Sequence, residues 1–186
     1  MARILVTGGA GYIGSHTVVE LMQQGYEVVI VDNFSNSSAD VLDGIAAIVG
    51  VRPAFEQVDC NDAAAMDAVF TSYPDIVGVI HFAASKAVNE SVAQPLMYYR
   101  NNLMSLITVL QQMKKHKVYN IVFSSSCTVY GQPSAEHLPV DETAPIQKAL
   151  SPYGNTKQIN EEIICDEAHA DAHLRATILR YFNPIG

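Results

Sequence analysis

Short apolar runs alternate along this chain with longer segments whose apolar residues recur at helical spacing. Runs that are apolar nearly throughout are typical of strands covered on both faces of a parallel sheet. Strands are predicted over residues 3–6, 27–31, 54–58, 76–82, 119–124 and 175–182. Helices are predicted over residues 15–24, 41–49, 62–72, 88–116 and 152–168. The alternation predicts a doubly wound, mostly parallel sheet with helices on both faces, a Rossmann-like α/β fold.

Two segments depart from this alternation. Pro95 lies inside the long helical segment and predicts either a kink or a new helix start. Residues 131–152 hold four prolines and show no periodicity. A loop of this length within a compact domain is usually functional or disordered. At its end, Ser151 is placed to cap the last helix, with Pro152 at the first helical position.

The first predicted strand runs into a glycine-rich turn. Gly8, Gly11 and Gly14 lie three residues apart. A strand that turns sharply into a helix directs unpaired N–H groups and the positive end of the helix dipole to one point, where a pyrophosphate fits. We expect Gly8 to allow the tight turn, Gly11 to allow close approach of the ligand, and Gly14 to let helix and strand pack closely. The spacing differs by one residue from the commonest dinucleotide fingerprint, so a glycine-rich turn without a ligand is the alternative.

The second predicted strand ends in an acid that favours the dinucleotide interpretation. Asp32 lies 18 residues beyond Gly14, close to the ~20 residues expected for a carboxylate that binds a ribose 2′-hydroxyl. No arginine or lysine lies between Asp32 and Asp40 to hold a 2′-phosphate. The sequence therefore favours NAD over NADP.

Other residues at predicted strand ends share the location of this turn. In open α/β sheets, ligands bind beyond the carboxyl ends of the strands. Residues at such ends are Gly8, Asp32, Asp59, Phe82, Ser124–Ser126 and Asn183. We therefore treat them as one candidate site.

The last predicted helix begins with a tyrosine and a lysine four residues apart. Tyr153 and Lys157 share a helix face at this spacing. An ammonium beside a phenol favours the phenolate, so we expect Lys157 to lower the pKa of Tyr153 and make it a base near neutral pH. Ordinary helix surface is the alternative for this pair taken alone. The dinucleotide turn and the serine cluster at the end of the fifth strand favour the catalytic interpretation.

Composition and charge narrow the class of protein. The chain has 186 residues, of which 49% are apolar and 16% are charged, with a net charge of −8. These values predict a globular domain and argue against a nucleic-acid partner. The apolar runs are too short to span a bilayer, and the N-terminus shows no signal-peptide pattern. Three separated cysteines give neither a disulfide framework nor metal-ligand spacing, and we expect a reducing cytoplasm and no metal site.

Several motifs together resemble those of a known family. They are Thr7-Gly-Gly-Ala-Gly-Tyr-Ile-Gly14, Asp32-Asn33, His81-Phe-Ala-Ala84 with Lys86-Ala-Val88, Tyr98-Tyr-Arg-Asn-Asn102, Ser124-Ser-Ser-Cys-Thr-Val-Tyr-Gly131, Ser151-Pro-Tyr-Gly154 with Lys157, and Arg180-Tyr-Phe-Asn-Pro184. On these motifs the chain resembles the extended short-chain dehydrogenase/reductases, and within them the UDP-glucose 4-epimerases. The resemblance covers the whole chain.

The resemblance implies a role for each matching residue. The pyrophosphate is held by Gly8, Gly11, Tyr12, Ile13 and Gly14. The adenosine is held by Asp32, by the loop of Asn33, Phe34, Ser35, Asn36 and Ser37, and by Asp59 and Cys60. The cofactor channel is lined by Phe82, Ala83, Ala84, Lys86, Asn101 and Ser124, with Phe182 near the nicotinamide. The substrate is contacted by Lys86, Ser126, Tyr153 and Asn183.

The resemblance also implies a reaction. Family members move a hydride from sugar C4 to bound NAD, let the 4-keto sugar rotate, and return the hydride to its other face, which interconverts UDP-glucose and UDP-galactose. Tyr153 is the acid/base, Ser126 hydrogen-bonds or shuttles the proton on the 4-oxygen, and Lys157 grips the nicotinamide ribose.

The family's architecture sets two further expectations. Its members continue into a smaller domain that grips the UDP group. We expect residues 1–186 to be the NAD-binding domain alone, so that full turnover is doubtful. Homodimers of the family form through two helices per subunit, here the 101–116 region and the helix of Tyr153.

Two other interpretations stay open. Sugar-nucleotide 4,6-dehydratases carry an Asp-Glu pair after the fifth strand, whereas Cys127-Thr128-Val129 stands here, which argues against that interpretation. A catalytically silent NAD-binding module is the alternative from a different class.

Overall fold

The computed structural model describes residues 2–185, and six parallel strands form its sheet in the order β3-β2-β1-β4-β5-β6. The strands are β1 Arg3–Thr7, β2 Glu27–Asp32, β3 Ala54–Gln57, β4 Ile76–His81, β5 Asn120–Ser126 and β6 Arg175–Tyr181. The helices are α1 Tyr12–Gln23, α2 Asp40–Val49, α3 Ala63–Ser72, α4 Val88–Ala93, α5 Pro95–Lys115 and α6 Pro152–Ala170. The predicted doubly wound fold is confirmed.

Three of the differences from the predicted boundaries affect elements around the candidate site. Helix α1 begins at Tyr12 rather than at residue 15, because Gly11 already serves as its N-cap. Strand β5 continues to Ser126, so the serine cluster belongs to the strand itself. Of the two possibilities for Pro95, the new helix start is correct, since α5 begins at that residue.

Two apolar clusters cover the two faces of the sheet. Side chains alternate between faces along a strand, and in β1 Leu5 joins one cluster while Val6 joins the other. The larger cluster takes residues from α3, α5 and α6, and the smaller one takes residues from α1 and α2. Burial of a side chain such as Leu5 contributes ~1.5–3 kcal/mol, so the sheet is held between two helical layers.

The strand order reverses beside β1. Strand β1 pairs with β2 on one side and with β4 on the other. Ligands of such folds bind at this switch point, beyond the carboxyl ends of the strands. In the register of the sheet, Thr7 lies opposite His81, and these two residues begin the crevice.

The long loop after β5 is packed rather than open. It holds two short 3-10 helices, Cys127–Tyr130 and Ala135–His137. A third apolar cluster, made of Val129, Tyr130 and Ala144, lies beneath it. The Gln158 amide of α6 donates to the carbonyl of Val129 at 2.8 Å and to that of Gln147 at 2.6 Å, which ties the loop to α6.

Candidate cofactor and active site

The glycine turn after β1 is built on close backbone contacts. Gly8 has a left-handed φ of 68°, and its N–H donates to the Val31 carbonyl of β2 at 2.8 Å. A Cβ at Gly8 would lie 2.7 Å from the backbone nitrogen of Ala83. A Cβ at Gly14 would lie 2.3 Å from the carbonyl oxygen of Gly8. Both positions therefore need glycine, Gly8 for the turn, as predicted, and Gly14 for the packing of α1 on the glycine turn rather than on the strand.

The N-terminus of α1 faces this turn without a side-chain cap. Gly11 is the N-cap, and the first turn of the helix contains no acidic residue. The first N–H groups of a helix have no partner within it, and the helix dipole adds a partial positive charge there. The backbone of Tyr12, Ile13 and Gly14 is thus arranged to receive an anion.

Asp32, at the end of β2, is bonded to the glycine turn. Its Oδ2 accepts the N–H of Ala10 at 3.1 Å, and its Oδ1 accepts the N–H of Phe34 at 3.0 Å and the hydroxyl of Ser37 at 2.8 Å. The carboxylate braces both the turn and the loop after β2, while it stays partly exposed at the rim.

The loop after β2 closes on the end of β3. The Asn33 amide donates to Asp59 at 3.3 Å, and its Oδ1 accepts the N–H of Ser35 at 2.9 Å. Phe34 takes a left-handed φ of 57°, and its ring stacks on Phe55 with centroids 4.8 Å apart. Phe34 therefore packs its ring against the sheet. Asn33, Ser35 and Asn36 remain exposed.

A polar bridge continues the rim from β3 to α5. Asp59 Oδ1 accepts the backbone N–H and the side-chain amide of Asn61, both at 2.8 Å, and this amide also donates to Asn101 at 2.8 Å. Cys60 packs into the larger apolar cluster. Burial, followed by the nearby Asp59 and Asp32 carboxylates, raises the pKa of Cys60 to about 12, so it stays a thiol.

His81 joins the glycine turn to β5. Its Nδ1 lies 2.7 Å from the Thr7 hydroxyl, and its ring stacks on Phe123 with centroids 6.0 Å apart. Burial above all, with the Lys157 charge, lowers the pKa of His81 to about 3. It is a neutral core histidine. Beyond it, Phe82, Ala83 and Ala84 are partly buried and Lys86 is exposed.

Lys157 is buried against the end of β5. Its Nζ donates to the carbonyl of Ser124 at 2.7 Å and lies 4.8 Å from the centroid of the Phe123 ring. Tyr153, one turn earlier on α6, is half-buried, and its ring centroid is 5.9 Å from the same nitrogen. The Ser126 hydroxyl accepts the N–H and the hydroxyl of Thr128 at 3.2 and 3.0 Å. The three predicted catalytic residues thus meet at the carboxyl rim.

The expected effect of Lys157 on Tyr153 is wrong for the protein alone. Burial raises the pKa of Tyr153, and the Ser126 hydroxyl lowers it only in part. The ammonium of Lys157 is directed at the Ser124 carbonyl, and burial lowers the pKa of Lys157 itself to about 8. Spacing on the helix placed the two side chains correctly, but their burial outweighs the pairing.

The end of β6 borders the same site. Tyr181 pairs with Ser126 of β5, and its ring lies 6.3 Å from that of Phe82. Phe182 follows and is 57% exposed, and Asn183 is exposed next to it. Both side chains are therefore accessible at the rim, where the sequence placed them.

Sequence reasoning missed a buried polar network beneath the site. Asn102 accepts the N–H of Ser85 at 2.8 Å and donates to the Ser85 carbonyl at 2.9 Å and to the Thr156 hydroxyl at 3.1 Å. Thr156 donates to the carbonyl of Tyr153 at 2.7 Å. The network holds the loop after β4 against α6. The hydrogen bond from Asn61 to Asn101 was missed as well, because no local pattern links two residues so distant in sequence.

The remaining expectations concern metals and membranes. Among residues 2–185, no cluster of three histidine, cysteine or acidic side chains could hold a metal ion. His169 lies on the surface, with its Nδ1 2.7 Å from the Cys165 carbonyl. In the same part of the chain, no helix is long and apolar enough to cross a membrane.

Comparison of the sequence with known proteins identifies the family of this chain. A family model described as the NAD dependent epimerase/dehydratase family matches residues 4–186. The chain belongs to this family. It is 50% identical over 185 residues to a UDP-glucose 4-epimerase of Schizosaccharomyces pombe, covering 98% of the chain and 52% of that protein. It is 51% identical over 183 residues to a UDP-glucose 4-epimerase of Bacillus subtilis, covering 98% and 53%.

Solved structures of the epimerase/dehydratase family superpose closely. The UDP-glucose 4-epimerase of Bifidobacterium longum, in complex with NAD+ and UDP, matches with a TM-score of 0.96 at 46% identity and covers 100% of this chain and 54% of that one. The enzyme of Stenotrophomonas maltophila, with NAD and formylated UDP-arabinopyranose, matches with a TM-score of 0.95 at 47% identity, with the same coverage. The chain spans about half the length of the curated relatives it matches.

Proposed function

We propose that this chain binds NAD at the carboxyl rim of its sheet and, together with a further domain that grips the UDP group, interconverts UDP-glucose and UDP-galactose by hydride transfer at sugar C4. The observation that carries the proposal is the continuity of the rim. The glycine turn is joined through Thr7, His81 and Phe123 to Lys157, by one hydrogen bond and a series of ring contacts. Anion-binding backbone and acid/base side chains therefore serve one crevice.

The residues present fit NAD. The glycine turn leaves no space for side chains at Gly8 and Gly14, and the uncapped start of α1 offers N–H groups to a pyrophosphate. Asp32 presents a partly exposed carboxylate, which suits a ribose hydroxyl and repels a 2′-phosphate. We therefore infer a preference for NAD over NADP.

The chemistry divides between the cofactor and the chain. Bound NAD supplies the acceptor and the donor of the hydride. Tyr153 takes the proton from the 4-hydroxyl of the sugar and later returns it, and Ser126 hydrogen-bonds the same oxygen. The Lys157 ammonium donates one of its three N–H groups to the Ser124 carbonyl, which leaves two N–H groups for ribose hydroxyls.

Tyr153 needs a nearby cation to act as a base. In the protein alone its pKa is raised by burial, so the phenol holds its proton at neutral pH. A positive charge brought beside the ring lowers the pKa of a phenol, and the Ser126 hydroxyl acts in the same direction. We infer that the base forms only when an oxidised, cationic cofactor lies in the crevice.

Substrate selection and assembly extend the proposal. Lys86, Ser126, Tyr153 and Asn183 are the residues we assign to a UDP-sugar. We propose residues 1–186 as the cofactor domain and assign the grip on the UDP group to a further domain, as the half-length match to the relatives suggests. A homodimer through α5 and α6 is also proposed, because α5 exposes Leu96, Met97 and Met104.

Two measurements test the proposal. Calorimetric titration of the 186-residue chain should give binding of NAD and much weaker binding of NADP. Joined to the further domain that grips UDP, the NAD-loaded chain should convert UDP-galactose to UDP-glucose, and Tyr153→Phe should abolish conversion while NAD still binds. Conversion by Tyr153→Phe at the wild-type rate contradicts the base assignment. NAD binding without any conversion in that longer protein favours a silent NAD-binding module.

A further inference from the structure

Glu161 is a buried carboxylate that the proposed reaction does not use. It lies on α6, one turn beyond Lys157, and only 6% of the residue is exposed. Isolated charges are rarely buried, because they lose their hydration. Its partners therefore indicate why the chain keeps it there.

Arg180 of the edge strand β6 holds this carboxylate with two hydrogen bonds. Its Nε donates to Oε1 at 3.1 Å, and its Nη2 donates to Oε2 at 2.8 Å. Arg180 is itself fixed by Tyr130, because its Nη1 donates to the phenol oxygen at 3.1 Å and its Cζ lies 5.0 Å from the ring centroid. A bidentate pair fixes orientation as well as distance.

Ser125 of β5 completes the cluster. Its hydroxyl donates to Glu161 Oε1. In β5, Ser125 stands between Ser124, whose carbonyl receives the Lys157 ammonium, and Ser126, which lies beside Tyr153. Ser125 also lies opposite Arg180 in the pairing of β5 with β6. Glu161 thus links α6 to β5 and β6 next to the candidate site.

We propose that Glu161, held by Arg180, is a positioning residue that fixes α6 against the end of β5. It thereby aligns Lys157 with the Ser124 carbonyl and Tyr153 with Ser126. The inference rests on the proposed function, since it assigns Glu161 to the same site.

The charges around Lys157 support this role. Lys157 faces Tyr153 and Glu161 from α6, His81 from β4, and the Ser124 carbonyl and Phe123 ring from β5. Burial lowers the pKa of Lys157 to about 8, and the Glu161 charge acts against this shift. His81 is neutral at physiological pH because its pKa is about 3. Among residues 2–185, Glu161 is the carboxylate whose charge raises the pKa of Lys157.

A purely structural ion pair would behave differently. Its loss would lower the stability of the fold, but the folded variant would bind NAD as the wild type does. Glu167 provides the matched control, because it lies on the same helix and accepts a 2.8 Å hydrogen bond from Lys114, but at the surface. The test therefore compares Glu161→Gln with Glu167→Gln.

The experiment titrates Lys157 by NMR in the 186-residue chain with carbon-13-labelled lysine, its resonance assigned by its absence in Lys157→Arg. Glu161→Gln should move the pKa of Lys157 below about 8 and weaken NAD binding about tenfold, the effect expected for loss of a charge-assisted hydrogen bond. Arg180→Lys keeps the charge without the planar fork and should weaken NAD binding by less than Glu161→Gln does. Glu167→Gln should change neither value.

A Lys157 titration or an NAD affinity that is the same in folded Glu161→Gln and in the wild type overturns the inference. If Glu161→Gln fails to fold by circular dichroism, Ser125→Ala, which removes one bond to the carboxylate, takes its place under the same criterion. Absence of NAD binding in the wild type contradicts the proposed function alone, because the Lys157 titration does not depend on the cofactor.

Discussion

Replacing Gly14 by alanine tests the packing of α1 on the glycine turn. The new methyl group would lie 2.3 Å from the carbonyl oxygen of Gly8 and 2.8 Å from the Cα of Gly9. Both neighbours are backbone atoms, so no rotamer change relieves the overlap. Alanine is favoured over glycine within helices by up to ~1 kcal/mol, whereas overpacking costs ~1–3 kcal/mol. The overlap should dominate, because these distances are far below the ~3.5–4.0 Å of normal contact.

Gly44→Ala is the matched control. Gly44 lies within helix α2, and a Cβ there meets no atom within 4 Å. We expect Gly14→Ala to lower the free energy of unfolding by about 1–2 kcal/mol and Gly44→Ala to raise it by about 0.5–1 kcal/mol. Urea unfolding followed by circular dichroism measures both values.

The same variants separate stability from ligand binding. Calorimetric titration with NAD should show no binding to Gly14→Ala, since α1 and its N–H groups must move away from the turn, and unchanged binding to Gly44→Ala. If Gly14→Ala is as stable as Gly44→Ala and binds NAD as the wild type does, the account of the turn is wrong.

Three further predictions follow from single contacts. Asp32→Ala removes the acceptor of three hydrogen bonds. It should weaken NAD binding about tenfold or more and reduce the preference for NAD over NADP. If calorimetry gives the variant the same NAD affinity as the wild type, the assignment of Asp32 to the ribose is wrong. The pKa of His81 is about 3 in the folded protein and about 6.5 in the unfolded chain. Between these two values the unfolded chain binds the proton and the folded protein does not. The free energy of unfolding should therefore fall by up to ~1.4 kcal/mol per pH unit as the pH is lowered through this range. His81→Gln should remove this part of the slope in urea titrations, and an unchanged slope speaks against a neutral His81. Ser151→Ala loses the cap on the Gly154 N–H and should cost ~1 kcal/mol in the same assay, whereas Ser151→Gly should cost only a few tenths.

The sheet could be predicted because parallel strands are buried on both faces. Strand β4 is apolar nearly throughout, and its bounds differ from the prediction by a single residue. The start of α1 was harder, since glycine has a low helix propensity and Gly11 caps the helix without a side chain. A helix start without a polar cap leaves little trace in the sequence.

The positions of the candidate site residues in the fold were predictable, but their pKa shifts were not. Tyr153 and Lys157 lie together, as their spacing on α6 indicated. The partner of Lys157, however, is the carbonyl of Ser124, 33 residues away, and burial sets the direction of both pKa shifts. Such contacts depend on how β5 meets α6, which no local pattern contains.

Buried polar contacts between distant elements were the other omission. Glu161 and Arg180 are 19 residues apart on a helix and an edge strand. Asn102 and Thr156 are separated by 54 residues. Neither pair shows a periodicity or a motif of its own, so only the folded chain brings them together.

A crystal structure of this chain with NAD tests the central claim most directly. The account predicts the pyrophosphate at the N-terminus of α1, the adenosine ribose on Asp32, and the nicotinamide above the carboxyl ends of β4 and β5, within hydrogen-bonding reach of Tyr153. Density for the nicotinamide away from Tyr153, or for the dinucleotide at any other edge of the sheet, would contradict it.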